Sequence, residues 1–368
     1  MSTRKDKFSQ KDIKYMELAL NLARARDGLT GVNPSVGCVI VKNDKIISIG
    51  QTGYDGSPHA ETNAITDCNE SLEDSKMYIT LEPCNHYGKT PPCTKIIIKN
   101  NIKEVLYSLE DIDKKVKGKS FKILKLKNII VKKGLLKEKI TNFYDNYFFN
   151  RKYKIPYVTG KIAVSKNDMI YSESTKRITN IHSDKLTHFL RYKNDSIMVS
   201  STTLNKDNPK LNCRLAGFEK FSPKRIILDN NLKMRINSYV FKTANKNNTI
   251  IFYNKADKAK ILFFKEKGIR LIKSNLIKDR YFDLKSILKK LYSLGSRNLL
   301  VEGGDILSGS FLKKKLFNKF YLFKSNKNLS KNLVYKDFTY FAKLTQNYKS
   351  KSKINSKFGK DSITLYKR

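Results

Sequence analysis

Residues 58–93 read PHAETNAITDCNESLEDSKMYITLEPCNHYGKTPPC, and this stretch decides the fold of the first part of the chain. Its central apolar run, MYITL, predicts a strand that carries Cys84 just beyond its carboxyl end. A helix is predicted on either side, with His59 and Glu61 in the first turn of one and Cys93 at the start of the other. A strand between two helices indicates an α/β unit, whose polar side chains gather where strands end and helices begin.

The same stretch contains the ligand set of a catalytic zinc site. His59, Cys84 and Cys93 offer one imidazole and two thiolates, and three protein ligands leave the fourth zinc position for water. Glu61 is close enough to take a proton from that water and give it to a leaving amine. The order H-x-E, P-C and C is typical of zinc-dependent deaminases of nucleobases. We therefore predict a Zn²⁺ site with Glu61 as the catalytic residue.

Strands and helices alternate around this stretch. Ser9 and Asp12 predict a capping box at the start of an amphipathic helix. The segment LLKEKITNFYDNYFFN predicts one helix that ends near Asn150. The strands predicted in this part are Val36–Val41, Ile46–Ile49, Met77–Leu81, Val105–Leu109 and Ile129–Val131.

A domain boundary is predicted between residues 152 and 153, which gives domains 1–152 and 153–368. The second domain again alternates strands and helices. Its predicted strands are Tyr157–Val164, Ser196–Ser200, Lys224–Leu228, Thr249–Tyr253 and Asn298–Val301, with Ile363–Tyr366 as a closing edge strand. Its predicted helices are Ser183–Tyr192, Leu284–Leu294 and Asp305–Lys315.

The composition raises the question of a nucleic-acid partner, because the 368 residues carry a formal net charge of +41. The lysines are spread along the whole chain and form no patch, so we expect a lysine-rich exterior and no nucleic-acid partner. The five cysteines are too few for a disulfide framework in a chain of this length. No apolar run approaches the ~20 residues of a membrane helix, and no secretory signal is recognisable. A cytoplasmic location without membrane association is expected.

Eight residues separate Cys84 from Cys93, whereas deaminases of cytidine or of tRNA adenosine usually have P-C-x-x-C. With VNPSVGCVIV at residues 32–41 and HAET at 59–62, this long loop resembles the bifunctional riboflavin-biosynthesis deaminase/reductase family. The resemblance covers essentially the whole chain. It implies an N-terminal cytidine-deaminase-like α/β/α zinc domain and a C-terminal dihydrofolate-reductase-like α/β domain.

The resemblance also implies two reactions and a homodimer. The first domain would hydrolyse the amino group of 2,5-diamino-6-(5-phosphoribosylamino)pyrimidin-4(3H)-one, and the second would reduce the ribose to ribityl with NADPH. In the first domain, Asn33 would bind the base, and His86 and Lys89 would contact the substrate phosphate. One departure is Thr52, where the family often has a histidine.

In the second domain the resemblance rests on LLVEGGDILSGSFL and DNPKLNCR. The substrate-binding residues that it implies are Thr175, Arg191, Leu211, Arg214 and Glu302. The cofactor-binding residues that it implies are Ala163, Arg177, Thr203, Asp207, Gly304 and Ser310. The chain departs from the family at Asn167 and Asp168, in place of Asp-Gly, and at Arg177, in place of an aromatic residue.

Three other functions remain open from the residues alone. The first is a nucleic-acid deaminase that acts on a tRNA base, with the same zinc chemistry. The second is a deaminase whose second domain is not catalytic. The third is a zinc-stabilised binding module, which the open fourth ligand position and Glu61 disfavour.

Overall fold

The computed structural model describes residues 8–88, 90–113, 116–172, 177–277, 281–331, 334–355 and 358–368. The chain divides into two units, with the division between Lys154 and Ile155. Unit 1 precedes this division and unit 2 follows it, and each has its own hydrophobic core.

Unit 1 is an α/β layer structure. Its strands are β1 (Gly37–Lys42), β2 (Lys45–Gln51), β3 (Lys76–Leu81), β4 (Glu104–Leu109) and β5 (Ile130–Lys133). Its helices are α1 (Gln10–Arg26), α2 (Ala60–Thr66), α3 (Cys93–Lys99), α4 (Lys119–Lys125), α5 (Lys137–Phe143) and α6 (Asp145–Tyr153). The described strands form one sheet in the order β2-β1-β3-β4-β5. Because β1 is antiparallel to both β2 and β3, those two strands end at the same edge of the sheet.

The strands predicted for unit 1 are confirmed to within two residues at each end. The capping box is also confirmed, because the Ser9 hydroxyl accepts from the amide of Asp12 and the Asp12 carboxylate accepts from the amide of Ser9. The single helix predicted to end near Asn150 is wrong. It breaks at Tyr144, whose backbone leaves helical geometry. The Tyr144 hydroxyl is buried and donates to the carbonyl of Ser35, so tertiary contacts outweigh helix propensity here.

Gly50 allows α2 to pack directly against β2. A Cβ atom at Gly50 would meet the carbonyl oxygen of Ala60 and would stand 2.5 Å from the amide nitrogen of Ala64. Both atoms belong to the backbone of α2 and cannot move independently of the helix. The absence of a side chain therefore sets the position of the helix that begins after His59.

We expect Gly50→Ala to destabilise unit 1 by about 2 kcal/mol or more, since overpacking must displace α2. Denaturant unfolding followed by circular dichroism measures this loss. Gly88→Ala is the matched control, because a Cβ atom there would meet nothing within 4 Å. Equal stability of the two variants would contradict the packing argument.

Unit 2 is built on a larger sheet. Its strands are β6 (Tyr157–Val164), β7 (Met169–Ser172), β8 (Ser196–Ser200), β9 (Lys224–Leu228), β10 (Thr249–Tyr253), β11 (Arg270–Lys273), β12 (Leu276–Ile277), β13 (Tyr281–Phe282), β14 (Asn298–Val301), β15 (Lys319–Lys324), β16 (Tyr335–Asp337), β17 (Ser350–Lys353) and β18 (Ser362–Lys367). Its helices are α7 (Ile181–Tyr192), α8 (Ser201–Asp207), α9 (Tyr239–Lys242), α10 (Lys258–Glu266), α11 (Leu284–Ser293), α12 (Asp305–Lys313) and α13 (Phe341–Asn347).

The main sheet of unit 2 has the order β11-β10-β9-β8-β14-β6-β15-β18-β17 among the described strands. In this order, the first seven strands, which end with β15, pair in parallel. The last two, β18 and β17, pair in antiparallel orientation. Two short pairs, β12–β13 and β16–β7, stand apart. The carboxyl ends of β6, β8 and β14 therefore lie together at one edge, where ligands bind in many parallel sheets.

The five interior strands predicted for unit 2 have the predicted bounds. The prediction that Ile363–Tyr366 forms an edge strand is wrong, because β18 lies between β15 and β17. The edge strand on this side of the sheet is β17, whose sequence SKSK is exposed at all four positions. It has no apolar alternation, so the sequence carried no signal for a strand there.

None of the helices in the described ranges combines the length and the apolar character needed to span a membrane.

Candidate functional site

The three predicted zinc ligands come together at one edge of the sheet of unit 1. His59 is the N-cap of α2, which follows β2, and Cys84 follows β3. Cys93 is the first residue of α3. Since β2 and β3 end at the same edge, the order of the strands brings these distant residues together.

The distances between the ligand atoms fit a shared metal ion. His59 Nδ1 lies 3.3 Å from Cys93 Sγ and 3.5 Å from Cys84 Sγ. One ligand atom from each residue lies within 4.8 Å of the others. Bond lengths of about 2.0–2.3 Å to a central zinc ion are compatible with such separations. The donor set, one imidazole and two sulfurs, fits Zn²⁺ with one position open.

The electrostatics of the cluster favour a thiolate even without a metal. A hydrogen bond with Cys93, together with one from His59, lowers the pKa of Cys84 to about 4. The backbone amide of Cys93 also donates to Cys84 Sγ at 3.3 Å. The hydrogen bond with Cys84 raises the pKa of His59 to about 9, and that of Cys93 is raised as well. Binding of a metal cation would therefore release protons from His59 and Cys93.

Glu61 lies in the first turn of α2, directly beside this cluster. It is buried, with 3% exposure. Burial raises the pKa of Glu61 to about 6. A carboxyl group whose pKa lies near neutrality can both accept and return a proton, which general acid–base catalysis requires.

The loop next to Cys84 contains polar atoms without partners. Within the described part of the chain, Asn85 Oδ1 and His86 Nδ1 are buried and have no hydrogen-bond partner. Buried polar atoms are nearly always paired in folded proteins, so these two are candidates for ligand contacts. His86 is thus consistent with its predicted role. Lys89, predicted to contact the same phosphate, lies outside the described residues.

Asn33 and Thr52 form hydrogen bonds that stabilise the backbone near the start of α2. Asn33 Nδ2 donates to the carbonyl of Gly56 at 3.0 Å, and this carbonyl belongs to the loop that leads into α2. Thr52, which replaces a family histidine, is buried and accepts from the amide of Val36 at 2.9 Å. Thr52 therefore has a structural role. The hydrogen bond of Asn33 to Gly56 does not use its Oδ1 atom, which can accept from another group.

Glu82 is a supporting residue that sequence reasoning missed. Its buried carboxylate accepts from the backbone amides of Asp111, Gly118 and Ser120 at 3.0–3.3 Å. The Ser120 hydroxyl donates to the carbonyl of Pro83, the residue before Cys84. These bonds join the loop after β4 to the segment that holds the zinc ligand. The sequence signal that could have indicated this role is a charged residue directly after an apolar strand.

We expect Glu82→Gln to destabilise unit 1 by about 1–3 kcal/mol, because an amide group cannot accept at both of its ends. Unfolding in denaturant measures the change. Glu110→Gln removes a partly exposed ion pair with Lys133 and should cost less than about 1 kcal/mol. An unchanged midpoint for Glu82→Gln would refute the support proposed for this carboxylate.

Unit 2 contains a cavity of about 700 Å³ at the carboxyl ends of its central strands. Seven of the residues predicted to bind substrate or cofactor line this cavity: Ala163, Thr203, Asp207, Leu211, Glu302, Gly304 and Ser310. Gly304 is the N-cap of α12. The amides of a helix start attract phosphate groups, so the cavity suits a dinucleotide.

Three predicted arginines do not line the cavity. Arg191 forms two hydrogen bonds of 2.8 Å with Glu302 and donates to the carbonyl of Asn212 at 3.1 Å. Its guanidinium thus holds the carboxylate of a cavity residue. Arg214 donates to the side chain of Asn212, and Arg177 is exposed and forms an ion pair of 3.1 Å with Asp184. Thr175 lies outside the described residues.

The departures at Asn167 and Asp168 leave the local loop intact. Asn167 accepts from the amide of Leu329 and donates to its carbonyl, both at 3.0 Å. Asp168 has φ of 65°, the left-handed region that usually requires glycine but that aspartate tolerates. Its carboxylate pairs with Lys324 at 2.9 Å. Side-chain hydrogen bonds and an ion pair therefore stabilise the loop, and Asp168 adopts the backbone conformation that glycine would provide.

Lys161 is a cavity residue that the sequence reasoning left without a role. It lies on β6, and its ammonium group is 4.8 Å from the centroid of the Phe323 ring. Burial lowers the pKa of Lys161, and the charge of Glu302 opposes this shift. The sequence contained a signal for this role, a lysine inside the apolar strand YVTGKIAV. Burial of a charged group costs free energy unless the group has a partner.

Comparisons with known proteins cover both units. A family model of the cytidine and deoxycytidylate deaminase zinc-binding region matches residues 9–109. A model of the RibD C-terminal domain matches residues 156–327. The zinc ligands thus fall within the first match, and most of the cavity residues fall within the second.

Whole proteins match over nearly the full chain. The riboflavin biosynthesis protein RibD of Aquifex aeolicus is 35% identical over 97% of this chain and 98% of its own. That of Actinobacillus pleuropneumoniae is 34% identical over 85% and 83% of the two chains. Among solved structures, RibD of Acinetobacter baumannii has a TM-score of 0.83 at 25% identity, covering 97% and 98%. A diaminohydroxyphosphoribosylaminopyrimidine deaminase/5-amino-6-(5-phosphoribosylamino)uracil reductase from Thermotoga maritima has a TM-score of 0.79 at 28% identity over the same shares.

Proposed function

Because this chain belongs to the RibD family of riboflavin-biosynthesis enzymes, with a deaminase and a reductase domain, we propose that His59, Cys84 and Cys93 bind the zinc ion of the deaminase, with Glu61 as its catalytic residue. The observation that carries this assignment is the convergence of the three ligand atoms within 4.8 Å beside a buried carboxyl group. We assign unit 1 to the deaminase and unit 2 to the reductase. The family match fits the riboflavin enzyme and not a tRNA base deaminase.

The deaminase reaction replaces an amine on the pyrimidine by a carbonyl oxygen from water. Zinc held by His59, Cys84 and Cys93 would supply Lewis acidity, the property that lowers the pKa of water towards ~7. Glu61 would accept a proton from the attacking water as its oxygen approaches the ring carbon that carries the amine. Glu61 then donates the proton to the departing nitrogen, so that ammonia leaves. The burial of Glu61 keeps bulk water from competing for this proton.

We assign the binding of the substrate to Asn33 and to the loop after Cys84. An amide can donate to and accept from a pyrimidine edge, which suits Asn33. His86 Nδ1 is buried without a hydrogen-bond partner, which supports the proposal that it contacts the substrate phosphate. Lys89 completes the proposed phosphate contacts as a cation.

The reductase cavity would hold NADPH and the deaminated pyrimidine side by side. NADPH supplies the hydride, so the protein mainly needs to orient the two molecules. The helix start at Gly304 suits the pyrophosphate, and Ala163, Thr203, Asp207 and Ser310 would complete the cofactor contacts. Lys161, Leu211 and Glu302 would face the substrate, with Arg191 fixing Glu302. The exposed residues Arg177 and Arg214, and Thr175, remain predicted contacts.

Product analysis by mass spectrometry tests both assignments. The protein is incubated with the diaminopyrimidine phosphate, with and without NADPH. Without NADPH, we expect a mass change equal to the replacement of an amine by a carbonyl oxygen. With NADPH, a further gain of two hydrogens is expected. A substrate mass that does not change would refute the deaminase, and deamination without the second gain would leave unit 2 non-catalytic.

Assembly, location and nucleic-acid binding are further parts of the proposal. We propose a homodimer, which light scattering of the purified protein tests. The thiol ligands must stay reduced to bind zinc, which supports a cytoplasmic location. No nucleic-acid partner is proposed. Tight binding of random RNA that weakens steeply with salt would contradict this view.

A further inference from the structure

One tyrosine that lines the cavity of unit 2 has one lysine over its ring and a second lysine as its cross-strand partner. Tyr171 on β7 lies directly opposite Lys336 on β16 in an antiparallel pair. Residues in such a pair have Cβ atoms about 5 Å apart and lie on the same face. The ammonium nitrogen of Lys206, from the end of α8, is 3.1 Å from the centroid of the Tyr171 ring. All three residues line the cavity, and we refer to them as the lysine–tyrosine cluster.

The cluster lies close to the expected position of the cofactor phosphates. Thr203 Oγ1 is 3.9 Å from the point where a Cβ atom on Gly304 would stand, so α8 adjoins the start of α12. Lys206 follows Thr203 by three residues and therefore lies on the same face of α8, about 4.5 Å further along its axis. A ligand whose pyrophosphate binds at the start of α12 could therefore contact the cluster with another of its groups.

Two of the three acids that line the cavity among the described residues have partners outside the cluster. Glu302 is paired with Arg191, and the Asp305 carboxylate accepts from the amide and hydroxyl of Thr339. Asp207 is the neighbour of Lys206 in the chain. Two ammonium groups in one part of the cavity suit an anionic ligand.

We propose that the lysine–tyrosine cluster binds a phosphate monoester dianion, namely the 2′-phosphate by which NADPH differs from NADH. A phosphate monoester carries a charge of about −1.5 to −2 at neutral pH, which calls for more than one cation. The Tyr171 ring holds the Lys206 ammonium in place through its π face, so less side-chain freedom is lost on binding. This inference rests on the proposed reductase function and adds the residues that choose the cofactor.

The test compares the binding of NADPH and NADH to the full chain and its variants Lys206→Gln and Lys336→Gln. Cofactor fluorescence gives both dissociation constants without turnover. Loss of one charge-assisted contact should weaken NADPH binding about tenfold in each variant. NADH binding should change less than about twofold, because that cofactor lacks the phosphate group. Lys210→Gln is the matched control, since Lys210 contacts the Tyr239 ring at 5.5 Å but does not line the cavity.

Each other outcome overturns the assignment. Equal weakening of NADPH and NADH would place the lysines at a group that both cofactors share. A rise in KM for the pyrimidine substrate alone would show that its phosphate occupies the cluster. Unchanged binding in both variants would show no phosphate contact. If the unaltered protein binds neither cofactor, the proposed reductase itself fails, and the inference fails with it.

Discussion

Replacement of Glu61 by glutamine is expected to lower deaminase turnover by about 10²–10⁴-fold, the usual contribution of a general acid–base group. Glutamine keeps the size of the side chain but cannot take a proton from water. Zinc should remain bound in stoichiometric amount, because Glu61 is not one of the three ligands that converge at the site. Single-turnover assays with the diaminopyrimidine phosphate, together with metal analysis, measure both quantities.

Glu70→Gln serves as the control, because Glu70 is an exposed residue of unit 1. It should keep both zinc and turnover. If Glu61→Gln kept the turnover of the unaltered protein, another group would have to move the proton. If Glu61→Gln lost its zinc, the residue would contribute to metal binding, and the separation of ligand and base would be wrong.

Removal of zinc by chelation is expected to abolish deamination and to leave reduction intact. The three proposed ligands all belong to unit 1, whereas the residues of the proposed reductase cavity all belong to unit 2. The treated protein should still oxidise NADPH when it receives the deaminated pyrimidine. Added zinc should restore deamination. Separate assays of ammonia release and NADPH absorbance follow the two reactions.

Cys84→Ser should reproduce the effect of chelation, because a hydroxyl group is a poor substitute for a thiolate ligand of zinc. Cys68→Ser is the control, since Cys68 lies outside the ligand group. Full deamination after exhaustive chelation would contradict zinc catalysis. Loss of both activities together would show that zinc also maintains the reductase.

The zinc centre could be predicted from sequence because ligand type and spacing are local properties. His59 and Glu61 share one helical turn, and Cys84 follows a strand whose apolar run is unmistakable. The order of strands then brings the ligands together without any further information. The α/β class of both units is confirmed for the same reason, since alternating strand and helix patterns are encoded within short windows.

Long-range pairing could not be predicted in this way. Arg191 was predicted to bind the substrate, and the sequence did not indicate that its guanidinium pairs with Glu302, a residue 111 positions away. The break at Tyr144 likewise depends on the Ser35 carbonyl, 109 positions away. Neither partner is marked by a local pattern. Sequence reasoning therefore could not show what Arg191 and Tyr144 contact.

The exposed strand β17 has a further consequence for behaviour at high concentration. Outer strands with unpaired backbone groups can recruit strands from other molecules, and lysine is one of the residues that discourages this. The SKSK sequence places two positive charges along that outer strand. Two molecules that approach there would repel each other before backbone hydrogen bonds could form. A lysine-rich composition that has no evident role in catalysis can thus oppose fibril formation.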